Sequence, residues 1–77
     1  MLALRPYKNL SGSTGVSAYG TGRDFIRLRF RDGRVYEYDH NKPGRRDVEA
    51  MKRLAEAGQG LTTYVNQHVR DNYARKL

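Results

Sequence analysis

The side chains that could bind a ligand in this chain are cations, and groups typical of catalysis are scarce. Cysteine is absent, and the two histidines, His40 and His68, are far apart in sequence and lack the spacing of a metal site. The sequence places no serine or carboxylate to partner His68, and the turn at residues 20–22 is too short for a phosphate-binding glycine fingerprint. We therefore predict a non-enzymatic protein with no catalytic residue, cofactor or metal.

The positive charge of the chain is large for its size. Fifteen Lys and Arg residues against eight Asp and Glu residues give 77 residues a net charge of +7. Such an excess attracts polyanions, namely RNA, DNA or an acidic protein. Because the cations are spread through the sequence, we give equal weight to the interpretation that the basic surface serves only solubility. The candidate phosphate-binding residues are Arg27, Arg29, Arg31, Lys42, Arg45, Arg46, Arg70 and Arg75.

Two functions fit this charge. The first is a binding module for nucleic acid, RNA or single strands, that contacts backbone phosphates with little sequence specificity. The alternative is a protein-interaction module, an adaptor or a small phage-type inhibitor, that docks on an acidic or nucleic-acid-binding protein. No small-molecule substrate is evident, and nothing in the sequence indicates an oligomeric state. The chain contains no apolar run of about 18 residues and no signal peptide, which predicts a cytoplasmic protein without a membrane span.

The first three candidate arginines lie in a predicted β-hairpin. Apolar residues alternate with Arg27, Arg29 and Arg31 over residues 24–31, and an Asp-Gly pair separates this run from a second one at 34–39. A two-residue loop on Asp-Gly would place Arg31 opposite Arg34, an unfavourable pair of like charges. It would also expose a platform of arginines and tyrosines suited to single-stranded nucleic acid.

A three-residue loop over residues 31–33, with Gly33 left-handed, shifts the pairing by one residue. Nearly all apolar side chains then share one face, and we prefer this register. Its cost is that Glu37 and Asp39 partly neutralise the arginine stripe. The predicted pairs are Leu28 with Tyr36, Ile26 with Tyr38, and Arg27 with Glu37.

The remaining patterns complete an α+β fold in one domain over residues 15–77, preceded by an extended or partly ordered arm over residues 1–14. A strand near 15–20, with Val16, Ala18 and Gly20 on one face, joins strands near 24–31 and 34–39 in a three-stranded antiparallel meander. Two helices, 45–57 and 61–75, follow and cover one face of the sheet. The predicted core is Val16, Ala18, Ile26, Leu28, Phe30, Tyr36, Tyr38, Val48, Met51, Leu54, Leu61, Val65, Val69 and Tyr73.

Three segments of the chain resemble the KTSC domain, a small family of bacteria and their phages. They are residues 16–19 (VSxY), 30–38 (FxxGxVYxY) and 65–73 (VNxxVRxxY), and the similarity extends over roughly residues 9–74. The resemblance implies a three-stranded antiparallel sheet packed on two helices. Some members are appended to lysyl-tRNA synthetases, which hints at RNA. The family has no assigned biochemical role, so the resemblance transfers no catalytic residue to this chain.

Overall fold

The computed structural model describes residues 3–10, 12 and 15–77. The elements in chain order are β1 (Arg5–Pro6), β2 (Val16–Thr21), β3 (Phe25–Phe30), β4 (Val35–Asp39), α1 (Arg45–Ala57), α2 (Leu61–Tyr64), a π-helical segment (Val65–Val69) and β5 (Arg75–Lys76). Over the described residues the strands form one antiparallel sheet in the order β1-β2-β3-β4-β5. No helix in this part of the chain is long and apolar enough to cross a membrane.

The predicted α+β class is confirmed, but the prediction of three strands is wrong. β1 and β5 add a fourth and a fifth strand at the two edges of the meander. Each has only two residues, too few to show a period in the sequence, and each forms by pairing with a strand already in place. Two residues of the predicted N-terminal arm, Arg5–Pro6, thus join the sheet, whereas residues 1, 2, 11, 13 and 14 of that arm lie outside the described residues.

The central hairpin has the predicted register. Ile26 pairs with Tyr38, Arg27 with Glu37, and Leu28 with Tyr36. The Phe30 N–H donates to the Arg34 carbonyl at 2.8 Å and closes the three-residue loop. Gly33 has a φ of 93° in that loop, a left-handed conformation that glycine adopts without steric cost. The alternation of apolar and charged residues and the turn glycine therefore agree on one register.

The predicted inward face of the first strand is wrong beyond Val16. Val16 pairs with Phe30, but Ala18 pairs with Arg29, so Ser17 is an extra residue in a β-bulge. The bulge turns Tyr19, which pairs with Leu28 and is 7% exposed, towards the core. Ala18 shares the opposite face with Arg29, although its predicted burial is confirmed by an exposure of 7%. The Ser17 hydroxyl donates to the Arg29 carbonyl at 3.1 Å across the bulge.

The first helix has the predicted bounds, with Gly58 left-handed at its C-cap, whereas the second prediction, 61–75, is wrong. α-Helix covers only Leu61–Tyr64, the π-helical segment follows, and Arg70, with a φ of 32° and a ψ of −109°, ends it. The apolar residues of this segment are spaced four positions apart, and this spacing is longer than the 3.6 residues of an α-helical turn. The wider turn, closed by the Arg70 N–H to the Val65 carbonyl at 2.7 Å, keeps Val65 and Val69 both buried.

The core lies between the sheet and the helices. It includes most of the predicted residues, with Phe30, Tyr36, Leu54 and Tyr73 packed partly buried at its margin. Tyr7 and Tyr19 were not predicted as core residues, whereas Ala55 belongs to the predicted apolar stripe of the first helix. Tyr7 reaches the core because its N–H donates to the Ser17 carbonyl at 3.0 Å beside the bulge, an attachment that depends on the tertiary structure.

Candidate nucleic-acid interface

Glu37 engages two of the predicted phosphate-binding arginines. Its carboxylate, 6% exposed, accepts a hydrogen bond from the Nε atom of Arg27 at 2.8 Å and forms an ion pair with Arg75, whose Nε atom lies 3.0 Å away. Arg27 lies opposite Glu37 across β3 and β4, so this ion pair follows from the register. The Arg27 guanidinium also lies 5.1 Å from the ring centroid of Phe25. The predicted neutralisation by Glu37 of the arginine stripe, Arg27, Arg29 and Arg31, is confirmed for Arg27. This ion pair links β3 to β4 on the outer face of the sheet.

Three further predicted cations, Lys42, Arg45 and Arg46, are exposed at and before the start of α1. Arg45 lines a groove of about 600 Å³ together with Arg23, Asp24, His40 and Glu49. The groove contains charges of both signs. The Glu49 carboxylate there already bonds to His40 Nε2 at 2.9 Å and Lys52 Nζ at 3.0 Å, and these hydrogen bonds lower the pKa of Glu49. An added anion would therefore meet two carboxylates.

Arg29 and Arg31 lie at the turn end of the hairpin, on a groove of about 500 Å³ that we call the arginine groove. In the described part of the chain neither side chain forms an ion pair, and none of the described residues that line the groove is Asp or Glu. The Arg31 N–H donates to the Gly15 carbonyl at 2.8 Å and holds the turn against β2. The lining residues are Tyr7, Asn9, Val16, Ser17, Arg29, Phe30, Arg31 and Gly33.

A second groove, of about 230 Å³, shares Phe30 with the arginine groove, and we call it the aromatic groove. Its rings are in contact. The ring centroids of Tyr36 and Tyr73 are 4.5 Å apart, and those of Phe30 and Tyr36 are 5.7 Å apart. The charged residues are two cations and two carboxylates, so the groove is formally neutral. Its lining comprises Phe30, Asp32, Arg34, Tyr36, Tyr38, Val65, Asn66, Arg70, Asp71 and Tyr73.

Arg34 and Arg70 are the cations of the aromatic groove. Arg34 Nε lies 3.1 Å from Asp32 Oδ2, and the Tyr36 hydroxyl together with this carboxylate raises the pKa of Arg34. Arg70 has backbone angles that non-glycine residues rarely adopt. The Tyr38 hydroxyl donates to the Arg70 carbonyl at 3.2 Å and helps to hold that conformation. Burial raises the pKa of Tyr38 above its ordinary value, so its hydroxyl keeps its proton at alkaline pH as well as at neutral pH.

The structure thus divides the eight predicted cations among four locations. Arg27 and Arg75 bind Glu37, and the three at α1 are exposed near a mixed-charge groove. Arg29 and Arg31 meet at the arginine groove, and Arg70 lies on the aromatic groove beside it. Sequence reasoning missed Arg34 as a candidate in this region, and in the preferred register it assigned Tyr36 and Tyr73 to the core. The interleaving of arginines and aromatic residues over 29–38 is the signal that points to them.

Comparisons of the chain with models of known protein families, with curated proteins and with solved structures found no match. The resemblance to the KTSC family therefore stays a prediction, and the functional argument rests on the chemistry of the two adjoining grooves.

Proposed function

We propose that this chain is a KTSC-like, non-enzymatic module that binds single-stranded nucleic acid, RNA in particular, through its backbone phosphates. The observation that supports this best is the arginine groove. Two exposed guanidinium groups share a concave surface, and no described residue of its lining supplies a carboxylate. A guanidinium group without an acidic partner is available for a phosphate, which it can bind through two parallel hydrogen bonds.

The use of acidic residues inside the fold supports the same proposal. Five of the eight carboxylates accept hydrogen bonds from partners within the fold. Glu37, Asp32 and Glu49 bind cationic side chains, Asp47 accepts from the Tyr64 hydroxyl, and Asp39 accepts from backbone N–H groups. None of these five carboxylates lines the arginine groove, and the chain as a whole carries a net charge of +7. A surface field of this sign concentrates polyanions.

A single strand fits this surface better than a duplex does. Phe30 lines the arginine groove, and Tyr36 and Tyr73 line the aromatic groove, of which Phe30 is also part. Cations that alternate with aromatic rings suit an unpaired strand, whose bases are free to leave their stack while the phosphates are neutralised. The bases of a duplex are not available for such contacts.

The test is a salt titration of binding to a fluorescent single-stranded RNA oligonucleotide of 12 nucleotides, followed by anisotropy. We expect R29Q/R31Q to weaken binding by at least tenfold at low salt. Each phosphate contact contributes about 0.7 to the slope of log K against log salt for single strands, so the double variant should lower the slope by about 1.4.

The matched control is R45Q/R46Q, which removes the same charge from α1, away from the arginine groove. We expect a smaller loss of affinity in this variant. Absence of binding by the wild type at low salt would exclude the proposal. Equal losses in the two double variants would show that charge in general, rather than the arginine groove, carries the binding.

The alternative of a protein-interaction module receives less support from the edges of the sheet. β1 and β5, the outermost strands among the described residues, have two residues each, and Pro6 lacks an N–H. Short edges with proline or cations are poor templates for an added strand. If the wild type binds no oligonucleotide, capture of a partner from nuclease-treated lysate becomes the relevant experiment for this alternative.

A further inference from the structure

We propose that the aromatic groove takes one unpaired base of the strand whose phosphates lie in the arginine groove. This inference rests on the proposed function and adds a second subsite to it. The two grooves share Phe30 as a common wall, so they adjoin without an intervening element. A strand that crosses Phe30 brings a phosphate to one side of this ring and a base to the other.

The charges of the two grooves indicate which groove would bind the phosphate and which would bind the base. Asp32 and Asp71 offset Arg34 and Arg70 in the aromatic groove, whereas the charged residues of the described lining of the arginine groove are both arginines. A phosphate inside the aromatic groove would meet two carboxylates and gain little. A neutral group meets no such penalty there, and a base is the neutral part of a nucleotide.

The rings of the aromatic groove provide a stacking surface. Tyr36 and Tyr73 are only half-buried, although the hydrophobic core begins directly behind them. Their ring planes are tilted by 33° at a centroid separation of 4.5 Å, and they form part of the wall of the groove. Stacking of one base on an aromatic side chain raises affinity by about 5- to 100-fold, and any base can provide it.

The backbone at Arg70, which lines the aromatic groove, has an unusual conformation. Its angles, φ 32° and ψ −109°, are costly for a residue with a side chain. Two hydrogen bonds hold this conformation, from the Arg70 N–H to the Val65 carbonyl and from the Tyr38 hydroxyl to the Arg70 carbonyl. π-Helical turns and strained residues concentrate at functional sites. In this protein the π-helical segment and Arg70 turn the chain at the wall of the aromatic groove, between the core residue Val69 and Tyr73.

The experiment compares two RNA probes of 12 nucleotides with the same number of phosphates, one with all its bases and one abasic throughout. Anisotropy at a fixed low salt concentration gives both dissociation constants. We expect the wild type to bind the probe with bases about 5- to 100-fold more tightly. Stacking of a base on a tyrosine ring should also quench tyrosine emission, and only the probe with bases should do so. The quenching can be observed because the chain has no tryptophan to mask it.

Two variants test the assignment to the groove. Y73L removes the ring, and we expect it to reduce the difference between the probes to under threefold without changing the salt slope. Y73F keeps the ring and should retain the wild-type difference. If Y73L fails to fold, as judged by circular dichroism, Y36L, which removes the neighbouring ring of the same groove, provides the same test with the same expected loss.

The outcomes separate this inference from the proposed function. Equal affinity of the wild type for both probes would overturn the base subsite and leave phosphate binding intact. Absence of binding to either probe would overturn the proposed function together with the subsite. A difference between the probes that Y73L fully retains would overturn the assignment to the aromatic groove.

Discussion

At the scale of single residues, Tyr7 connects the N-terminal arm to the helices. Its hydroxyl accepts a hydrogen bond at 3.0 Å from the N–H of Leu61, the first residue of α2. The first N–H groups of a helix have no partner within it, and Gly60 at the N-cap has no side chain to supply one. Tyr7 therefore satisfies a donor that would otherwise be buried without a partner.

We predict that Y7F lowers the free energy of unfolding by about 1–2 kcal/mol, because the buried Leu61 N–H loses its acceptor. Urea denaturation measures the change. Tyr19 is the matched control, since it is about equally buried and its hydroxyl makes no hydrogen bond to the described residues. Y19F should change the stability by less than about 0.5 kcal/mol. Equal effects of the two substitutions would refute the role of the Tyr7 hydroxyl.

At the scale of elements, Gly58 ends α1 where the N-terminal arm crosses it. Gly58 has a φ of 78°, and its carbonyl accepts from the Leu10 N–H at 2.6 Å. A Cβ built at this position would lie 2.9 Å from Lys8 Cβ. The arm and the helix end thus approach so closely that only glycine fits without a shift.

We predict that G58A destabilises the protein more than G33A does. Both residues are left-handed, which costs alanine about 1–2 kcal/mol, but a Cβ at Gly33 would meet nothing within 4 Å. G58A must in addition displace Lys8, which should add about 1 kcal/mol or more. Urea denaturation of the two variants gives the comparison. A loss in G33A as large as that in G58A would argue against close packing of the arm.

At the scale of the whole molecule, Glu49 and Lys52 fasten α1 to two loops of the sheet. Glu49 binds His40 in the loop before α1, and Lys52 Nζ donates to the carbonyls of Gly22 at 2.8 Å and Arg23 at 3.1 Å in the β2–β3 turn. The Glu49 carboxylate also bonds to Lys52. One carboxylate therefore links the helix to both loops at the end of the sheet opposite the hairpin turn.

We predict a pH dependence from this linkage. The hydrogen bonds from His40 and Lys52 lower the pKa of Glu49 below its unfolded value of 4.5. Its contribution to stability is therefore present above that value and is lost as the pH falls through the lower folded pKa. Unfolding free energies of the wild type and E49Q should differ at pH 7 and converge as the pH falls below 4.5 and through the lower folded pKa. A difference that stays constant down to about pH 2 would contradict the linkage.

The local signals in the sequence determined the central hairpin and α1. One hairpin register is favoured by the alternating side chains, the left-handed glycine and the Arg27–Glu37 pair. The bounds of α1 follow from an apolar helical stripe that is followed by Gly58. Both could be predicted because these interactions involve residues that are close in sequence. The arginines at the hairpin turn were predicted as candidates for the same reason. The resemblance to the KTSC family stays a prediction, since no comparison bears on it.

Only the tertiary structure decided which cations are available and which rings line a groove. The β-bulge at Ser17, the two edge strands and the π-helical turn all depend on pairing or packing between distant segments. The pairing of β5 brings Arg75 to Glu37, and the end of the π-helical segment at Arg70 places Tyr73 beside Tyr36. These long-range contacts have no local period, so the division into an arginine groove and an aromatic groove emerges only once the chain has folded.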